Sequence, residues 1–434
     1  MLFNRREMAY LRAMLNGRKL EFRSPGAGAE WHAVRIFATL LIMNTMALAG
    51  IFDFGERPLG TEANRQASAF LAAEGQRLGY EVERLPFKCL RWEGGAAAIH
   101  RGEAQVQAFS GPFSPAFDRW CDAVAVTSTQ QLKRTKCKDK IVFLRGEIAK
   151  EPLMPLEYPF YFPDAHREIY ALLDEREPAA IVAVTGKNPI SGQTPFPLFN
   201  DAGLKIPNAY IDEASMEQIL AAKGKIRLRI DSKTFPETGE QVVIRKKAVG
   251  ASKGKIAIFA HMDSAYGTPG ALDNAAGTAV LLAAMGRLKD YAGPYDLEFI
   301  PFNGEDSPMV KGQLAYLAEY GKELGRIRLG INVDAAGAKG SKTAVSAYNL
   351  DDDRLAWLDG EIARFRQIER GPEWVESDHS IFVFRGVPCL ALTSSTLRES
   401  VMTLTHTPRD TIDLVDRALL VEATEFIVRV VNDF

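Results

Sequence analysis

A chain of 434 residues has room for two or three domains and a sizeable core, and its 47% apolar and 25% charged content is ordinary for a globular protein. A net charge of −2, with Lys and Arg spread along the chain, excludes a nucleic-acid surface, which needs a concentrated basic patch. Four cysteines without a Cys-x-x-Cys spacing exclude a four-cysteine zinc site and a disulfide-dense scaffold, and six histidines make any imidazole-based site a sparing one.

The first residues, 1–31, are basic and irregular. Ile36 to Phe52 then runs for seventeen residues without a charge. It reads as a buried helix, since it is short for a membrane span and contains Asn44 and Thr45. An export signal is the alternative, because Ala47-Leu48-Ala49 has the small-x-small form of a cleavage site; the 35-residue lead before it argues the other way. A retained anchor is a third reading. A cytoplasmic location is favoured, with export as the alternative, and membrane contact is not expected.

Thr61 or Asn64 can cap a helix whose apolar positions Ala67, Phe70, Leu71 and Leu78 follow the 3.6-residue period. Gly79 ends it, and Tyr80 to Phe87 alternates as a strand. From about 106 to 235 the texture changes. Short strands at Ala123 to Val126, Lys140 to Leu144, Ala179 to Val184 and Arg227 to Ile230 are separated by long, proline-rich connections. This region has one histidine, His166, and no ligand-like cluster, and it reads as a β-rich insertion. From 236 onward the pattern is strand, loop, helix. Strands are expected at Val242 to Arg245, Ile256 to Ala260, Leu297 to Phe302, Leu329 to Val333 and Pro388 to Leu392, and helices at Gly277 to Lys289, Gln313 to Tyr320 and Asp352 to Ile368. The expected fold is α/β: a doubly wound, largely parallel sheet with helices on both faces. Its parts would be 1–105, 106–235 as the insertion, and 236–434.

The chemistry gathers at the strand ends of this last region, where open α/β sheets place their sites. His261 follows the second strand, Asn303-Gly304-Glu305-Asp306 the third, and Asp334 the fourth, while His406 lies in a loop before the final helix. Alone, each reads more readily as a hydrogen-bonded structural residue or a helix-start feature or cap than as a ligand. Together they suit a pair of divalent ions, each wanting an imidazole, a terminal carboxylate and a share of a bridging carboxylate. His261 and His406 supply the imidazoles, Asp306 and Asp334 the terminal carboxylates, and Asp273 the bridge. Glu305 is left over as a general base. Asp263 is expected to accept the second N–H of His261 and fix its tautomer.

The segments HMDS…GALDNAAG, NGED, NVDAAG and THTPRDT resemble, in order and spacing, the ligand motifs of the co-catalytic zinc aminopeptidases, metallopeptidase family twenty-eight, of the aminopeptidase Y and aminopeptidase S type. GERPLGTEA and Ser377-Asp378-His379 look like that family as well. The resemblance covers about 45–105 and 236–434. It implies two divalent ions per chain, zinc being the expected metal, with His261 and Asp334 on one, Asp306 and His406 on the other and Asp273 between them. Asp378 and His379 would lie beside the site without holding metal. KDKIVFLRG, EPAAIVAVTG and KIPNAYID resemble strands of a protease-associated insertion. Two departures stand out: Asp306 where most members carry Glu, and Thr405 where a Tyr often precedes the last histidine. The implied activity is removal of N-terminal residues from peptides with a free N-terminus, by a hydroxide bound to two zinc ions with Glu305 as base. Carboxypeptidase or glutaminyl cyclase chemistry at the same site, and a non-catalytic receptor-like role, are the alternatives. Oligomeric state is not readable.

Overall fold

The computed structural model describes residues 50–156, 158 and 162–434. The apolar run from Ile36 lies outside the described residues except for its last three, 50–52. Among the described residues, no helix is long and apolar enough to cross a membrane.

Among the described residues the first α-helix is α1 (Glu62–Arg77), which Thr61 caps by accepting the Asn64 N–H, and β1 (Glu81–Glu93) follows it. A second unit follows: β2 (Ala96–Arg101), β3 (Ala104–Ser110), β4 (Phe117–Cys121), β5 (Ala123–Val126), α2 (Thr129–Arg134), β6 (Ile141–Leu144), α3 (Asp164–Arg176), β7 (Ala180–Val184), β8 (Asn208–Ile211), α4 (Glu213–Ala221) and β9 (Ile226–Ile230). The chain returns through β10 (Lys233–Lys246), β11 (Lys255–His261), α5 (Ala276–Leu288), β12 (Asp296–Phe302) and α6 (Lys311–Tyr320). It ends with β13 (Ile327–Val333), β14 (Thr343–Tyr348), α7 (Asp352–Ile362), β15 (Ile368–Arg370), α8 (Ser380–Val383), β16 (Cys389–Ser394) and α9 (Arg417–Asp433).

Two eight-stranded sheets result. The first has the order β1-β10-β12-β11-β13-β16-β14-β15. Its inner strands β12, β11, β13 and β16 are parallel, while β1, β10 and β14 join it antiparallel. The inner strands are continuous apolar runs because helices cover both faces, and all seven residues of β11 are buried. On one side α5, α9 and α1 pack over Ile256, Ile258, Phe299 and Ile331; on the other Phe259, Phe302, Tyr316 and Phe382 form an aromatic layer. Helix α5 tolerates burial nearly all round because its sequence, AGTAVLLAAMGRL, is small or aliphatic.

The second sheet has the order β4-β9-β2-β3-β8-β7-β6-β5. It differs from the expected insertion in two ways. It begins at Ala96 rather than 106, because the β2–β3 hairpin pairs with β9 and β8 instead of extending β1. It is also α/β rather than simply β-rich, its β5, β6, β7 and β8 being parallel and accompanied by α2, α3 and α4. The unit hangs from the end of a long ribbon, since Glu93 at the end of β1 pairs with Lys233 at the start of β10.

Two further expectations are corrected in the first sheet. The helix expected over Asp352 to Ile368 stops at Ile362 and the chain re-enters the sheet as β15; no Gly or Pro lies between that stop and the strand. The strand β14, TAVSAY, has no counterpart in the sequence reading; its strand formers Thr343, Val345 and Tyr348 are diluted by Ala344, Ser346 and Ala347.

The start of α5 is set by a close approach. Asn274 donates from Nδ2 to the Val333 carbonyl (2.8 Å) and accepts the Gly277 N–H (2.9 Å), so a side chain at Gly277 would press into both the Asn274 amide and the Val333 oxygen. Gly277→Ala is expected to cost about 1–3 kcal/mol of stability, read as a lower urea midpoint with an unchanged slope; an unchanged midpoint would show that the α5–β13 contact has slack.

Candidate metal centre

The parallel strands end on one edge of the first sheet, and the side chains singled out from the sequence converge there. His261 is the last residue of β11 and is fully buried. Its Nε2 lies 2.9 Å from Asp273 Oδ1, 3.4 Å from Asp334 Oδ1 and 4.0 Å from Glu305 Oε2. The other oxygen of Asp273 lies 3.0 Å from His406 Nε2, and Asp306 Oδ1 lies 2.8 Å from the same nitrogen. Two triads result, His261–Asp273–Asp334 and Asp273–Asp306–His406, with Asp273 common to both. Asp306, although one methylene shorter than Glu, reaches His406.

These residues fit metal ions on grounds of satisfaction as well as distance. Both ring nitrogens of His261, Asp334 Oδ1 and Asp306 Oδ2 are buried without a hydrogen-bond partner among the described residues. Each such atom costs about 1–3 kcal/mol if left unsatisfied. His261 Nε2 and Asp334 Oδ1 belong to one triad and Asp306 to the other, and an imidazole with two carboxylates per triad suits zinc and similar ions. The two triads differ in access: His261 is sealed, whereas the His406 side chain is 53% exposed, on a backbone with φ of 56°.

The electrostatics follow from crowding acceptors in a buried space. Burial, joined by the charges of Asp306, Asp334 and Asp378, pushes Glu305 well above the usual carboxylate range against the pull of His261. Burial opposes charge on Asp273, yet the His261 and His406 imidazoles, close against its two oxygens, outweigh it and hold that carboxyl low. Burial raises Asp378 to about 7, with Gln313 Nε2 donating to its Oδ1 at 2.7 Å.

Asp263 is placed differently from the expectation. Its Oδ1 stands 3.5 Å from His261 Nδ1, too long for a well-made hydrogen bond, and accepts the backbone N–H groups of Gly304 (2.9 Å) and Glu305 (3.1 Å). It therefore pins the loop that carries Glu305 and Asp306. His379 stays clear of both triads. Its Nε2 meets the Trp374 carbonyl at 2.7 Å and its Nδ1 meets Asn332 Nδ2 at 3.2 Å, an arrangement that ties the 374–379 loop to β13.

Three residues at the site carry roles that the sequence reading did not assign. Arg57 is fully buried and donates from Nε to the Met262 carbonyl (2.6 Å), from one terminal nitrogen to those of Gly55 (2.8 Å) and Pro269 (3.0 Å), and from the other to that of Gly270 (3.0 Å). It staples both ends of the loop between His261 and Asp273. Asp410, four residues after His406, accepts the N–H groups of Leu272 (2.7 Å) and Asp273 (3.1 Å). Gln313 holds Asp378. Arg57 and Asp410 lie inside the GERPLGTEA and THTPRDT segments, which was the available signal; an arginine otherwise reads as surface.

Arg57→Lys keeps a charge but loses the planar fork that reaches these carbonyls. The variant is expected to melt several degrees lower and to retain less metal after dialysis; unchanged melting and metal content would show the staple to be idle. A pH effect follows from His379, whose buried ring is held below its ordinary value of 6.5. The folded state then binds fewer protons than the unfolded one below about pH 6.5, so this contribution to stability is complete above that pH and is lost as the pH falls. His379→Gln should flatten the acid side of the stability curve, measured by urea unfolding between pH 5 and 8.

Residues 242–431 match the model described as peptidase family M28. The aminopeptidase YwaD of Bacillus subtilis is 24% identical over 264 residues, 58% of this chain and 56% of that protein, so the chain spans a little over half the length of this curated relative. Among solved structures, an aminopeptidase from Aneurinibacillus sp. strain AM-1 superposes with a TM-score of 0.69 at 21% identity, covering 89% of this chain and 92% of the other. BSAP, a zinc aminopeptidase from Bacillus subtilis, superposes with a TM-score of 0.66 at 20% identity, covering 90% and 94%. These likenesses show a shared α/β fold. The ordered ligand motifs and the matched region agree: residues 242–431 resemble peptidase family M28.

Proposed function

We propose that this protein is a metal-dependent aminopeptidase that removes N-terminal residues from peptides with a free N-terminus. The observation that carries the reading is the pair of triads sharing Asp273, with the Glu305 carboxyl 4.0 Å from His261 Nε2 on the same edge of the sheet. The names of the similar proteins, an aminopeptidase and a zinc aminopeptidase, support it. His261, Asp273 and Asp334 would hold one ion, and Asp273, Asp306 and His406 the other. Two divalent ions, zinc in the first instance, would polarise the scissile carbonyl and lower the pKa of the attacking water.

The remaining work falls to the chain. Glu305 takes a proton from the water as its oxygen bonds to the acyl carbon, and returns it to the amine nitrogen as the C–N bond breaks. Asp263, through the Gly304 and Glu305 N–H groups, keeps that carboxyl in reach of both atoms. Asp378 and Gln313 back the same wall. The second sheet unit is read as an inserted protease-associated-like domain, in keeping with its departure and return on the paired strands β1 and β10.

The test is cleavage of a panel of aminoacyl-4-nitroanilides by the wild type and Glu305→Gln, with metal content measured on both. Loss of a general base lowers kcat by about 10²–10⁴-fold, and both proteins are expected to hold two metals per chain. Asp273→Asn should weaken both sites together. Two bound metals without cleavage of any free-amine substrate would keep the centre and defeat the aminopeptidase reading. No bound metal after reconstitution would defeat the centre itself.

A further inference from the structure

The loop 262–272 joins His261 to Asp273, whose side chains face each other at 2.9 Å. Both ends of this loop are held by the segment just before α1. Arg57 takes the carbonyls of Met262, Pro269 and Gly270, and its backbone N–H donates to Ser264 Oγ at 2.9 Å. Glu56 Oε1 accepts the Gly267 N–H at 2.8 Å. Tyr266, in the middle, is held from elsewhere. Its hydroxyl accepts the backbone N–H of Trp92 at 2.8 Å, and the Trp92 ring stands edge-on to it at 5.2 Å. A third ring, Phe113 of the second sheet unit, meets Tyr266 edge-on at 5.9 Å.

Phe113 lies in the turn between β3 and β4, and it is buried. Its φ is 61°, a backbone conformation uncommon for a bulky side chain. The turn is braced from behind by β8: the Gly111 N–H donates to the Asn208 carbonyl (3.0 Å), and the Asn208 N–H donates to Ser114 Oγ (2.8 Å). Leu59, Cys89 and Met309 close around the ring from the first sheet's side. A backbone kept in a sparsely used conformation, so that one ring seats on another unit's loop, points to a task for that ring. Ligands already ordered before an ion arrives bind it more tightly than ligands that must be ordered on binding.

We propose that Phe113 is a positioning residue: seated on Tyr266, it fixes the loop that leads into Asp273, and through that shared carboxylate it sets the affinity of both ion sites together. The second unit thereby completes the metal centre without supplying a ligand. This rests on the metal-centre reading and is independent of which substrate is cleaved.

The experiment measures zinc binding to Phe113→Ala, Tyr266→Ala and the double variant, by competition with a chelator of known affinity and well below the melting temperature. Amide exchange over 262–275 is followed on the metal-free proteins. Both ions are expected to bind Phe113→Ala about tenfold more weakly, and the loop amides to exchange faster before zinc is added. The double variant should be no weaker than Tyr266→Ala alone, because the Phe113 ring then has nothing to act on. Phe113→Leu, which keeps an apolar contact, should lose about threefold and takes over the test if the alanine variant fails to fold. A ring that served stability alone would lower the melting temperature and leave zinc affinity unchanged. Wild-type affinity for both ions in the Phe113 variants, weakening of one ion alone, or effects of the two substitutions that simply add would overturn the inference and leave the metal centre standing. A wild type that binds no zinc after reconstitution would overturn both. Failure to cleave any free-amine substrate would defeat the aminopeptidase reading and leave this inference standing.

Discussion

The geometry of the site depends on where the Asp273 carboxylate is held. Its two oxygens face different imidazoles, 2.9 Å from His261 and 3.0 Å from His406, so a rotation of one side chain would dismantle both triads. Asp273 lies in the turn before α5, not within a strand, and its position has to be imposed from outside. Asp410 accepts its N–H and that of Leu272, Asn274 ties the next residue to the end of β13, and Arg57 gathers the Pro269 and Gly270 carbonyls on the approach. A shared ligand fixes the separation of two sites only when its backbone cannot drift, and these contacts supply that restraint.

The same restraint explains how the chain tolerates so many acids at one edge. Glu305, Asp306 and Asp378 are each driven above the ordinary carboxylate range, the signature of like charges and burial acting together. A mobile loop would relieve that repulsion by spreading. Here the acids are mounted on the ends of buried parallel strands and on loops pinned by Asp263 and Asp410, so they cannot spread, and cations held as proposed would offset their repulsion. Arg57 contributes a fixed positive charge held by carbonyls alone, which leaves the neighbouring carboxylates unpaired by it and available as ligands.

The placement of the second sheet unit follows from the ribbon. Because β1 and β10 pair along their whole length, the excursion between them starts and finishes at one point, and the unit can only swing about that end. The aromatic contact of Phe113 with Trp92 and Tyr266 removes that freedom. The unit is thereby held over the loops between His261 and Asp306 rather than away from them.

The sequence by itself determined the inner strands and the residues at their ends. Continuous apolar runs buried on both faces can be read locally; His261 and Asp334 stand at the ends of such runs, Asp306 lies a short turn beyond another, and Asp273 precedes a small-residue helix. Those signals depend on nearest neighbours along the chain. The partners of Asp263, the staple made by Arg57 and the support from Asp410 depend on loops brought together from distant parts of the chain; the bond from Arg57 to Met262 spans 205 residues. Their hydrogen bonds run to backbone N–H and carbonyl groups, which every residue possesses and no side-chain pattern distinguishes. The same reason accounts for β14 and for the start of the second sheet at Ala96: both are strands because a partner was available, and only the tertiary structure decided which partner that was.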